Sequence, residues 1–205
     1  MPYDLNPTQG DLAAARATVE RVFDACERQL PTERSVAVAL GWSDDEVVAT
    51  DFGGAMGVCL APDRVELVFT SGESDWTTAL AAAAARQYGR AWVRGEFPDG
   101  ARVFWWQDLL EAAAGERLVA RVADPSVAPW ATLDDGAIEE WWPTIREALD
   151  DPVEDPLVDP AASDVPPFLA EGVAAVLADA LEVEVQAFPS ATRSTVADAL
   201  GDVFE

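Results

Sequence analysis

Histidine and lysine are both absent from this chain of 205 residues, and each absence removes a class of chemistry. Without histidine there is no imidazole to bind zinc or to act as a general base, so Ser-His-Asp and Cys-His catalysis are excluded. Without lysine no Ser-x-x-Lys nucleophile can form. Every one of the 13 basic residues is arginine. Cysteine is scarce as well: Cys26 and Cys59 lie far apart with no C-x-x-C spacing, and are expected to be free, buried thiols in a reducing compartment. Long apolar runs are missing, and Met1-Pro2-Tyr3-Asp4 carries neither a basic nor an apolar leader. The expectation is a cytoplasmic protein with no membrane partner.

What the chain has in excess is acid. Against the 13 arginines stand 38 aspartates and glutamates, a formal net charge of −25. They are interleaved with apolar residues along the whole length, which is not the pattern of a disordered acidic tail. Self-repulsion on this scale is relieved by salt, so a halophilic, salt-adapted chain is expected. Nucleic acid is excluded as a partner, because a phosphate footprint needs concentrated basic residues. An alternative is an acidic interaction protein that mimics nucleic acid, although its carboxylates show no phosphate-like clustering.

Half of the residues are hydrophobic and eight are tryptophan, enough for one domain over 1–205. Apolar residues at helical spacing predict a helix over 11–29. Short extended segments follow at 35–40 and 46–50, then a hairpin of 57–61 and 64–70 around Pro62-Asp63. The bend Asp51-Phe52-Gly53-Gly54-Ala55-Met56-Gly57 lacks the ending of a phosphate-binding loop and is expected to be structural. Helices are predicted over 76–93 and 102–122. A further stripe of Ile138, Trp141, Trp142, Ile145 and Leu149 is interrupted by Pro143, which implies a kink or a later start. An acidic, proline-rich connector spans 150–167. Helices over 168–181 and 192–204 are too little for a core of their own. The fold class is α+β, mostly helical, with a small sheet of short strands near the N-terminus.

The helix over 76–93 carries Arg86, Gln87 and Arg90 at the spacing of HExxH. In that motif two ligands four residues apart share a face and the glutamate beside them activates water. Guanidinium stays protonated and presents only donors, so it cannot ligate a metal. Adjacent acids such as Asp44-Asp45-Glu46, Asp134-Asp135 and Glu139-Glu140 match no calcium loop. A hydrolase with a carboxylate and hard-metal site stands as another alternative.

The order of helix, short strands, glycine bend, hairpin, helix and carboxylate-bearing helix is that of zincin-type metallopeptidases. The chain resembles the predicted zinc-dependent proteases, in which HEYxH precedes a Ser-Glu-Gly-Leu-Ala-like motif. Residues 51–57 followed by Val65-Glu66-Leu67-Val68 are similar to the family's glycine bend and edge strand. Leu80 to Ala91, with Tyr88 and Ala91 kept, resembles its zinc helix. Gly115-Glu116-Arg117-Leu118-Val119 resembles its glutamate motif, which implies the third-ligand position for Glu116. Ala128-Pro129-Trp130, Trp142-Pro143 and Pro166-Pro167-Phe168 with Glu171-Gly172 are similar to later motifs. The departures fall on the chemistry: Arg86 and Arg90 stand for both histidines and Gln87 for the base.

The resemblance therefore implies a zincin-like pseudoenzyme with no catalytic residue, metal or cofactor. It implies a retained groove at Gly53, Gly54 and Tyr88 that holds a peptide or protein partner by strand addition. Two arginines at i and i+4 repel unless a carboxylate lies between them, and Glu116 is expected there.

Overall fold

The computed structural model describes residues 7–72, 75–97, 104–154, 157–158 and 165–204. The expected helix start at Arg102 and part of the 150–167 connector lie outside them. The protein is mostly helical with one three-stranded sheet near the N-terminus. The first helix, α1 (Gln9–Gln29), starts at a reciprocal cap in which Asp11 N donates to Thr8 Oγ1 at 3.1 Å and Thr8 N donates to Asp11 Oδ2 at 2.8 Å. Its apolar stripe of Ala15, Val19, Val22 and Cys26 is buried.

Strand β1 (Ala37–Trp42) follows. Residues 46–50, expected as a strand, instead form the short helix α2 (Glu46–Thr50). The Val47-Val48 pair suggests extension, but the Asp45 carboxylate accepts from Val47 N at 2.9 Å and nucleates a helical turn. Strands β2 (Ala55–Ala61) and β3 (Arg64–Phe69) make the expected antiparallel hairpin. The sheet order is β1-β3-β2, with β1 parallel to β3. Val65-Glu66-Leu67-Val68, expected at the edge, is thus the central strand, and β2 is an edge. The reason is that β1 pairs with the far side of β3 through the register Val38↔Val65 and Leu40↔Leu67. Val65, Leu67 and Phe69 all turn to the core.

Everything else is arranged around α3 (Trp76–Glu96). Ala79 through Tyr88 are all buried, and the small side chains let β2, β3, α1 and a second long helix approach from different sides. That second helix is α4 (Trp105–Val122). The two cross where Gly89 meets Gly115. A Cβ on Gly115 would stand 2.6 Å from the Arg86 carbonyl oxygen, and one on Gly89 would stand 2.8 Å from the Ala114 carbonyl oxygen. No side chain fits there, so both positions require glycine for proximity.

The Ile138–Leu149 stripe divides into α5 (Asp135–Glu139) and α6 (Trp142–Ala148), with Pro143 in the first turn of α6, where a missing N–H costs nothing. Then α7 (Leu169–Ala180) lies on α4, and α8 (Arg193–Phe204) lies on α7. The Arg117 guanidinium of α4 donates to the Ala178, Leu181 and Val183 carbonyls and so closes the C-terminal end of α7. One hydrophobic cluster runs from Ala15 to Phe204, and Leu157 of the proline-rich stretch belongs to it. No helix among the described residues is long and apolar enough to cross a membrane.

Both cysteines are buried, and burial pushes the Cys26 thiol up to about 12. Native protein is expected to resist iodoacetamide at pH 8 and to take up two equivalents once unfolded; native labelling of Cys26 contradicts this packing. Gly115→Ala is expected to cost about 1–3 kcal/mol, as an overpacked core does. Denaturant titration of the variant checks it, and an unchanged midpoint contradicts the glycine crossing.

Candidate functional site

Three arginines leave α3 at intervals of four, and each meets a carboxylate of α4. Arg86 Nε donates to Glu116 Oε1 at 2.5 Å, with Arg86 Nη2 3.3 Å from Oε2. Arg90 Nη2 donates to Asp108 Oδ1 at 2.7 Å. Arg94 Nη2 and Nε donate to Glu111 Oε2 at 2.7 and 3.0 Å, and Arg94 Nη1 donates to the Cys59 carbonyl of β2 at 2.6 Å. Charges spaced at i, i+4 and i+8 lie along one side of a helix, so a single partner helix can serve all three. The glycine crossing brings that partner near enough.

The Arg94–Glu111 pair is the driest of the three. Glu111 is fully buried and Arg94 nearly so. Burial pushes the Glu111 carboxyl above its usual range, against the pull of Arg94 and Arg90. Burial also works against the charge of Arg90, but Asp108 and Glu111 more than offset it and hold its pKa above the ordinary guanidinium value. Arg94 is raised in the same way by its bonds to Glu111. These cations keep their protons and offer no lone pair to a metal.

Glu116 thus meets Arg86, but it does not stand between Arg86 and Arg90 as expected. Asp108, in the first turn of α4, takes Arg90 instead. Tyr88, expected in the groove, points the other way: it is buried, its hydroxyl donates to the Leu30 carbonyl at 2.8 Å, and its ring stands edge-on to Phe23. It ties α3 to the end of α1. Gly53 and Gly54 both adopt positive φ, at 61° and 103°, and turn the chain into β2.

The groove side of α3 is formed by Gln87. Thr70 N donates to the opposing Gly54 carbonyl at 2.8 Å, and strand alternation then turns Met56 and Val58 toward β3. It leaves the N–H and C=O of Gly57 on the outer edge, next to α3. A Cβ on Gly57 would stand 2.9 Å from Gln87 Cγ, so the strand and the helix touch at this point. A hollow of about 40 Å³ lies on one side of the contact, lined by Phe52, Met56, Ala83, Arg86, Gln87 and Trp130. A wider one of about 300 Å³ lies on the other, reached by Gly57, Gln87, Arg90 and Asp108.

An aromatic wall closes the smaller hollow. The Arg86 guanidinium lies 4.5 Å from the centroid of the Trp130 ring, within cation–π range. Phe168 packs on both Trp130 and Phe52, with centroids 5.9 and 5.4 Å away. Its φ of 61° is an outlier for a bulky side chain, held just after Pro166-Pro167.

Sequence reasoning missed Arg94, Glu111 and Asp108. The signal was present, since the four-residue repeat of Arg86 and Arg90 continues to Arg94. Among the described residues no group of three or more Asp, Glu or Cys side chains could hold a metal ion. In comparisons with family models, curated proteins and solved structures, nothing matches this chain.

Glu111→Gln keeps the shape but strands the Arg94 charge, and is expected to cost about 3–5 kcal/mol. Adding Arg94→Met to Glu111→Leu removes both charges and should recover most of that loss. A double-mutant cycle by denaturant unfolding checks it, and additive losses contradict the buried pair.

Proposed function

We propose that the protein is a non-catalytic, zincin-like module, adapted to high salt, that holds an extended peptide or protein segment beside β2. The observation that carries this reading is that Arg86 and Arg90, at the ligand spacing of HExxH, are each held by a carboxylate of the following helix. Glu116, which the family resemblance implies as a third ligand, reaches the first of these positions. Ion pairs between α3 and α4 then make the link that a metal would make between the same elements. Zinc requires deprotonated N, S or O ligands, and guanidinium groups at both histidine positions supply none there.

The groove follows from the same geometry. An edge strand with the Gly57 N–H and C=O turned outward can take one more strand, and Gln87 provides a polar contact where the metallopeptidase would place its base. The reading of a hard-metal hydrolase has less support, because the described residues bring no three ligating side chains together.

Two measurements test this. Protein purified in molar salt is expected to hold less than one-tenth equivalent of zinc and to melt at the same temperature with and without EDTA. Stoichiometric zinc or chelator-sensitive peptidase activity overturns the reading. A labelled library of random nonapeptides should bind in fluorescence polarisation with micromolar affinity, and N-methylation of alternate residues should abolish it. Indifference to N-methylation removes strand addition.

A further inference from the structure

Gln87 and Glu171 differ from the other polar side chains around the α3–α4 contact, because neither has a partner among the described residues. Gln87 is 6% exposed, yet its amide makes no hydrogen bond there. Glu171 is half-buried in the first turn of α7 and is likewise unpaired. The two line the same hollow of about 300 Å³, together with Gly57, Arg90, Trp105 and Asp108.

The charges around this hollow decide what it can take. Arg90 is matched by Asp108 at 2.7 Å, and Arg94 by Glu111 at 2.7 Å. Among the described residues that leaves the Glu171 carboxylate as the charge with no counter-ion. An anion would have to approach it against a chain that already carries −25. A neutral ligand would leave the carboxylate without a counter-ion. A cation satisfies both unpaired groups, since a carboxylate and an amide oxygen each accept N–H donors.

We propose that this hollow binds a single organic cation, an alkylammonium or guanidinium group. Glu171 is its counter-ion, the Gln87 amide oxygen accepts one of its N–H bonds, and Trp105 flanks its slender stem. The volume suits one long side chain and not a bulky heterocycle with substituents. Two sources present this chemistry. One is a lysine or arginine of a segment lying along β2, which rests on the groove reading above. The other is a free amine, which does not.

Isothermal titration of the full chain distinguishes them, with agmatine and cadaverine as free cations. The peptide probes are acetyl-Ala-Ala-Arg-Ala-Ala-amide and its citrulline counterpart, which has the same shape without the charge. Binding of one equivalent is expected, with the citrulline peptide at least tenfold weaker than the arginine peptide. Glu171→Gln should weaken agmatine about tenfold or more, the range of a hydrogen bond to a charged group. Gln87→Met conserves volume and removes only the amide that lines the hollow, so it should weaken binding without lowering the melting temperature.

Failure of every cation to bind overturns the proposal, as does an unchanged agmatine affinity in Glu171→Gln. Agmatine binding with no added affinity for the arginine peptide keeps the cation pocket and removes the groove. Peptide binding indifferent to arginine keeps the groove and removes the pocket.

Discussion

Putting guanidinium groups on the inner side of a buried helix sets a condition that the rest of the chain must meet. An unpaired ion in a protein interior costs several kcal/mol even after relaxation. Arg86, Arg90 and Arg94 therefore each need a carboxylate within hydrogen-bonding reach, and α4 brings Glu116, Asp108 and Glu111. The distance is met only because the two backbones touch at Gly89 and Gly115. The alanines of α3 serve the same end on the sheet side, where Arg94 also satisfies the Cys59 carbonyl. Glycine, alanine and arginine on α3 are thus parts of one solution.

The edge of the sheet is shaped by its distance from that ladder. Gly57 allows β2 to rest on Gln87, and the chain enters β2 through two glycines in left-handed conformation. Phe52, Trp130 and Phe168 then fill the space above Arg86. Gln87 separates the two hollows and is a buried polar group of α3 that the ladder does not use. Successive turns of α3 thus carry the ladder, and Gln87, next to Arg86, lines the hollows on either side of the β2 contact.

Much of this fold is legible in the sequence, for local reasons. The Thr8-x-x-Asp11 cap, the Pro62-Asp63 turn and the Pro143 helix start each depend on neighbours a few residues away. Residues 46–50 were harder, because two valines argue for a strand and a single capping aspartate outweighs them. The sheet order was not legible, since nothing within β3 itself states that β1 will pair on its far side. The helix bearing Arg86, Gln87 and Arg90 was identifiable from spacing, and so was a carboxylate on the next helix. Which carboxylate meets which arginine was not, because that depends on the crossing of α3 and α4. Tyr88 shows the same limit from the other side: one residue from Gln87, it faces α1 because 100° of helical rotation separates them.

The ladder balances its own charge, three cations against three anions, so all of the chain's net charge of −25 lies outside it. Dilution therefore acts unevenly. As the screening length grows from about 3 Å in molar salt to about 10 Å at 0.1 M, repulsion accumulates over the acidic exterior while the interior pairs feel little change. Desalting therefore strains the acidic exterior before it strains the buried pairs. The α3–α4 unit is the last to separate, which places the most durable part of the molecule directly beneath its candidate site.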